Sequence, residues 1–345
     1  MLANNISKIG IIPSELIEKK DIIWMFHNDI NALFKYDKKL NKGEFVCSLE
    51  EEASIKKTLI GKLIIRDNTI FMIPMWGNYI HIYGINSKKQ KILQLKDERL
   101  YRTKMLFCGA FMYRNDIYCI PMNYQYLIRI TADNTIEYLF DIGEIFKKIG
   151  IDKVCLNRAA FYGKKIVAVQ TGDNKYIEYE LENQIIEVKE SSIGNIQLNS
   201  VEIIADEIYL CGKTNDNKWK VYRERDKKVV FQSDDWITIS KIGEDLLIDT
   251  IRKEWFVIVD HKSGIQKKVE DPILVESGYY KNGILSNDGR YYYSNRKRML
   301  KEYENGEFAD VGELEAEFDI NMIVKCKEKI NEMECFKLEN FVELI

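Results

Sequence analysis

Apolar residues along this chain come in short runs separated by polar turns, and the runs recur at a nearly constant interval. The clearest stretch is TIFMIPMWGNYIHIY, residues 69–83, which reads as an apolar run, a tight turn and a second apolar run. A related stretch, DIYCIPMNYQYLIRI, follows at residues 116–130. Ile70, Ile73, Pro74, Met75 and Tyr79 of the first match Ile117, Ile120, Pro121, Met122 and Tyr126 of the second, an offset of 47 residues. Short runs rich in Ile, Val and Tyr, bounded by Asn, Asp and Gly, predict β-strands joined as hairpins.

Anchoring each unit on the first apolar residue of its second strand gives Ile22, Ile70, Ile117, Ile166, Ile208, Leu246 and Tyr291. The intervals are 48, 47, 49, 42, 38 and 45 residues, the size of a four-stranded unit with variable loops. Every unit follows one grammar. A first apolar stretch ends in a polar turn, as in LIIRDN and AFYGKK. The second strand (DIIWMF, TIFMIP, KIVAVQ) is almost continuously apolar, as expected of a strand covered on both faces. The third alternates more (YIEYEL, WKVYRE), and the fourth is the most polar (QKILQL, QIIEVK). Burial should therefore fall from the second strand to the fourth, as in a blade running from centre to rim. Seven such units predict an all-β chain, a seven-bladed β-propeller of four-stranded antiparallel blades. The blades should span roughly 11–50, 59–97, 106–142, 156–190, 198–233, 236–271 and 280–312. A β-sandwich or a run of unrelated meanders would share the strands but not the regular interval.

Three segments stand outside the repeat. Residues 96–107 join the second and third units. Residues 141–156 join the third and fourth, and their GEIFKKIG predicts one or two helical turns. Residues 6–12 are expected to add a strand to the last blade and so close the ring. After a propeller domain covering residues 1–312, residues 313–345 lose the strand–turn rhythm. There Met322, Ile323, Cys326, Ile330, Met333 and Phe336 fall on one face of a predicted C-terminal helical segment, a cap or a docking element.

The repeated hairpins resemble the β-propeller superfamily across residues 11–311, in architecture rather than in the signature of one family. The Gly-Gly doublets of kelch repeats and the Trp-Asp endings of WD40 repeats are missing. Ser286-Asn-Asp288-Gly289 looks like part of the Asp box of sialidase-type propellers, but it lacks the downstream Trp and does not recur. It reads as a turn with ordinary Asn-Asp-Gly chemistry. Propellers host binding scaffolds, lyases, hydrolases and oxidoreductases, so the resemblance implies the fold and leaves the function to the site.

Composition narrows the classes. At 345 residues and 46% apolar content the chain can bury a large core. Lys and Arg number 51 against 54 Asp and Glu, which leaves no basic footprint for nucleic acid. No apolar run reaches the roughly 18 residues that a membrane span needs, and no signal peptide is expected from the opening MLANNISKIG. The seven cysteines (Cys47, Cys108, Cys119, Cys155, Cys211, Cys326 and Cys335) are odd in number and form no C-x-x-C, which predicts reduced, mostly buried thiols of a cytoplasmic protein. The Lys, Ile and Asn bias resembles that of bacterial proteins from AT-rich genomes.

In an up-and-down blade, the loops between second and third strands share one end with the connections between blades. That end should gather His27, Asp29, Trp76, Tyr79, Arg99, Tyr101, Arg102, Tyr124, Arg158, Asp173, Trp236, Arg252 and Arg296. Aromatic faces edged by Arg and polar groups suit a protein, peptide or glycan. Trp76 and Tyr79 read equally well as packing between blades. Arg158 opens an innermost strand and is expected to point toward the central channel. The three histidines, His27, His81 and His261, have no metal-ligand spacing, and no phosphate loop or dinucleotide fingerprint is present, so neither metal nor cofactor is expected. No G-x-S-x-G occurs, and nucleophilic catalysis would rest on His27 alone. The expected function is a non-catalytic binding propeller in the cytoplasm. The alternative is a carbohydrate-active hydrolase or lyase with its site at the mouth of the channel, using two of the many carboxylates.

Overall fold

The computed structural model describes residues 6–27, 30–49, 52, 58–96, 105–250, 255–270, 283–286, 289–294 and 299–319. Seven antiparallel blades follow one another along the chain, six of them four-stranded and the first extended to six strands. Blade two shows the plan: Ile60–Arg66, Thr69–Pro74, Tyr79–Gly84 and Gln90–Gln94, each strand paired with the next. All seven sequence anchors fall on the first or second residue of a second strand.

Burial follows the apolar pattern. In blades one to four the second strand is buried at every residue but its first. The outermost strands Gln90–Gln94 and Ile185–Glu190 contain no buried residue. The core is divided into clusters that lie between blades rather than at one centre. Between blades two and three, Phe71, Ile73, Ile80 and Ile82 meet Phe107, Ala110, Ile117 and Cys119. Each fully buried Phe or Ile there contributes about 1.5–3 kcal/mol relative to exposure. From blade seven through blade one and on to blade six, the innermost strands touch in succession. Every first hairpin turn carries at least one left-handed residue: Lys20, Asp67, Arg114, Gly163, Ala205, Gly243 and Gly289.

Ring closure differs from the expectation. Glu315–Asp319, placed by sequence in the helical segment, is a strand parallel to Lys42–Ser48 at the rim of blade one. Ile6–Gly10 pairs antiparallel with it, Ile6 opposite Asp319 and Gly10 opposite Glu315. The N-terminal strand thus completes blade one, not blade seven. Lys42–Ser48 would otherwise expose a row of unpaired backbone groups, and the chain leaving blade seven arrives beside that edge. The approach is close: a Cβ on Gly43 would lie 2.0 Å from the carbonyl oxygen of Glu315. Leu314 and Ala316 are buried with Ile11, Leu16, Tyr291 and Leu300 in the core between blades seven and one. The apolar positions from Met322 to Phe336 on which a helix is predicted lie outside the described residues.

The connection from blade three to blade four holds the expected helical turns. Ile142–Lys147 is a short helix capped by Asp141, whose Oδ1 accepts from Glu144 N at 2.9 Å. It buries Ile142 and Phe146.

Candidate functional site

Alternating strand direction brings three features to one end of every blade: the start of the innermost strand, the end of the second and the start of the third. In the first five blades the innermost strand bulges near this end, leaving Ser14, Gly61, Cys108, Arg158 and Asn199 without a cross-strand partner. Arg158 lies on its bulge at φ 47° and is exposed. Its Nη1 donates to Ser240 Oγ at 3.4 Å. Arg158 belongs to blade four and Ser240 to blade six, so the side chain passes across the channel in front of blade five.

Blade five contributes Asn199 to this place, and three residues further along the same strand Glu202 lies within electrostatic reach of Arg158. Asn157 Nδ2 donates to Asn199 O at 3.1 Å and Asn199 Oδ1 at 3.4 Å. Asn199 is 8% exposed, and its own Nδ2 has no partner. Glu202 accepts from the backbone N–H groups of Ile203 and Lys241, both at 2.9 Å. Burial nevertheless pushes its carboxyl up to about 7, against those two N–H groups and the charges of Lys241 and Arg158. Across blades one and two, Lys62 Nζ lies 3.2 Å from the buried Glu15. Burial also pushes the Cys108 thiol up to about 12, which keeps it a thiol at neutral pH.

Away from the axis the same end carries tryptophan. Of the five in the chain, Trp76 lies in the turn after a second strand, Trp219 and Trp255 each open a third strand, and Trp236 immediately precedes an innermost strand. Trp219 and Trp236 face each other with ring centroids 6.1 Å apart, and Trp236 is 39% exposed. Trp219 and Trp255 both pack on the core between blades five and six, and Lys268 Nζ lies 5.3 Å from the Trp255 ring.

The other predicted residues divide sharply. His27 is buried, with Nε2 3.3 Å from Gly10 O and Nδ1 accepting from Ile30 N at 3.4 Å. Those bonds give the ring a structural role. Tyr124 is buried against Phe107 and Tyr126, and its hydroxyl donates to Lys96 O at 2.8 Å. Asp173 accepts from Asn174 N and lies 3.2 Å from Lys175 Nζ. Asp29, Arg99, Tyr101, Arg102, Arg252 and Arg296 lie outside the described residues.

Sequence reasoning missed Glu52. Its buried Oε1 accepts from Asn78 N at 2.8 Å, Tyr79 N at 3.1 Å and His81 Nε2 at 3.2 Å, while Oε2 accepts from Asn78 Nδ2 at 3.0 Å. One carboxylate thus organises the turn Trp76-Gly77-Asn78. Gly77 is needed there, because a Cβ would lie 2.8 Å from Glu52 Oε1. His81, in an ordinary third-strand position, is fully buried beside Tyr79. His261 sits at the opposite end, Nδ1 3.0 Å from Tyr209 Oη. Among the described residues no three His, Cys, Asp or Glu side chains are placed to hold a metal ion, and the five described cysteines are free.

Blades of four antiparallel strands around an axis make this chain a β-propeller, in its seven-bladed form. No protein-family model matches the sequence, and no curated protein does. Among solved structures it is similar to a streptogramin B lyase, at 10% identity and TM-score 0.58 over 91% of this chain and 97% of that one. It is similar to YCF48 bound to a D1 peptide, at 9% identity and TM-score 0.55 over 85% and 93%. A chain of the mitotic checkpoint complex shares 11% identity and TM-score 0.56 over 90% and 94%. Likeness at such identities establishes the fold, and these neighbours comprise a lyase, a peptide-bound protein and a member of a multiprotein complex.

Proposed function

We propose that this chain is a cytoplasmic, non-catalytic binding propeller that holds a peptide segment of a protein partner on its loop-bearing end. The observation that carries this reading is the Trp219–Trp236 pair, an aromatic surface left partly open on the same end as Arg158. Large rigid aromatics beside an Arg are the commonest anchors of protein interfaces. The histidine at this end, His27, is committed to internal hydrogen bonds. That a neighbour of the same fold, YCF48, is bound to a D1 peptide supports this reading. The test is capture of partners from a bacterial extract by the immobilised full chain and by a Trp219→Ala/Trp236→Ala double variant, compared by quantitative mass spectrometry. A discrete set of proteins lost from the double variant is expected; identical capture by both overturns the reading.

Glu202 favours a second reading, a carbohydrate-active hydrolase or lyase. A carboxyl pushed up to about 7 and lying near Arg158 is protonated in roughly half of the molecules near neutrality, as a general acid can use. Release of reducing ends or unsaturated products from a polysaccharide panel, abolished by Glu202→Gln, would establish that activity. The binding reading expects no turnover.

A further inference from the structure

The mouth of the channel holds two sets of donors that the fold itself does not use. Arg158 has five N–H donors, and one of them meets Ser240 Oγ at the long limit of a hydrogen bond, 3.4 Å. Among the described residues it forms no ion pair. Asn199 occupies the equivalent bulge one blade further on, is 92% buried, and keeps an unpartnered Nδ2. A buried amide hydrogen without an acceptor is costly, and natural structures rarely leave one without a reason. Asn157, next to Arg158 in the chain, reaches both oxygens of Asn199, so the two bulges lie side by side.

We propose that the loop-bearing mouth of the channel is a carboxylate site, in which Arg158 supplies the charge and Asn199 Nδ2 a second donor. Two under-used donors on the bulges of adjacent blades ask for an acceptor-only group. Glu202 selects its charge: with this carboxyl behind the site, a dianionic phosphate meets repulsion that a single carboxylate largely escapes. The raised proton affinity of Glu202 keeps that repulsion partial near neutrality. The carboxylate is that of the peptide proposed above, either an Asp or Glu side chain or the chain's own C-terminus; only this choice of source rests on the peptide-binding reading.

The experiment uses the full chain labelled with 15N-arginine. The Arg158 Nε–H signal is identified by its disappearance in Arg158→Gln. At constant ionic strength the protein is titrated with N-acetylglycine, which carries a C-terminal carboxylate, and with N-acetylaspartate α-amide, which carries only the side-chain carboxylate. N-acetylglycinamide and inorganic phosphate serve as comparisons. A saturable shift with either carboxylate, and none with the neutral amide, is expected; the tighter of the two names the source. Asn199→Ala should weaken binding about tenfold, the value of one hydrogen bond to a charged group. Tyr113→Phe, at the opposite end of the propeller, should leave it unchanged, and because the probes are small carboxylates the titration reads this site whether or not the Trp pair binds anything. The proposal is overturned if the neutral amide shifts the signal equally, if phosphate binds more tightly, if no carboxylate saturates it, or if Asn199→Ala retains full affinity.

Discussion

At the loop-bearing end main-chain bonds close three successive seams between blades, from two to five. Leu106 N donates to Met75 O across blades two and three, Leu156 N to Met122 O across three and four, and Leu198 N to Asp173 O across four and five. At the opposite end side chains do most of this work, beside one main-chain bond from Gly243 N to Gly289 O between blades six and seven. Lys19 reaches Asp67 O and Asn68 of the next blade. Arg66 donates to the carbonyls of Asn115 and Thr131 and to Asn134 Oδ1. Tyr113 and Arg114 bond Glu182, Tyr209 meets His261, and Tyr303 meets Asp245. Between blades seven and one, Lys38 bonds Tyr291 and Glu302 and lies 3.4 Å from Glu18. Burial alone would lower the Lys38 ammonium, but its bonds to Tyr291 and Glu302 prevail and raise it above the usual lysine range. A main-chain bond is indifferent to the side chain it sits beside, and a side-chain bond is not. The loop-bearing end can therefore change its surface at little cost in stability, which is where a binding face belongs.

The contrast can be broken most forcefully at Arg66. It is buried over the Phe71 ring, 4.5 Å from its centroid. Arg66→Met would leave several carbonyls facing an apolar side chain, and a loss of about 3 kcal/mol is expected in urea unfolding. Arg66→Lys should recover part of it, since an ammonium lacks the planar fork. Glu52 is the exception at the loop-bearing end. Glu52→Ala would strand the Asn78, Tyr79 and His81 donors, and roughly 2 kcal/mol should be lost in the same assay. Glu202 stands between the two ends and predicts a smaller, pH-dependent effect. Its carboxyl rises from an ordinary 4.5 in the unfolded chain to about 7 in the folded one. The folded state then binds the extra proton between those values, so this contribution is complete below about 4.5 and is lost as pH rises toward about 7. Glu202→Gln should flatten the slope of melting temperature against pH in that window. Trp236→Ala is the smallest, within about 0.5 kcal/mol in stability, though partner capture should be lost.

How much of this was legible in the sequence depends on the range of the interaction. Strand positions were legible, because TIFMIP, DIYCIP and KIVAVQ announce strands buried on both faces through local composition. The closing strands were not, because Ile6–Gly10 and Glu315–Asp319 lie over 300 residues apart and no repeat relates them. The alternation in Glu315-Ala316-Glu317-Phe318-Asp319 was a readable strand signal, but it was overshadowed by the helical spacing that follows it. For the site, strand grammar told which end a residue occupies but not how deep it lies. Arg158 was placed by opening an innermost strand, while His27 and Tyr124 share its end and are buried. Glu52 and Glu202 could not be singled out among 54 acidic residues, since what distinguishes them is burial and the N–H groups around them.

The strand pair at the rim of blade one has a mechanical consequence. Ile6 and Asp319 lie directly opposite each other at one end of an antiparallel ladder. Tension applied between those two residues loads the ladder's hydrogen bonds one at a time, as a zip, rather than all together in shear. Under such a pull Ile6–Gly10 should peel away first and at low force. Glu315–Asp319 runs parallel to Lys42–Ser48, so dragging it along that neighbour strains several bonds at once, and the ring should yield only at a second, higher force.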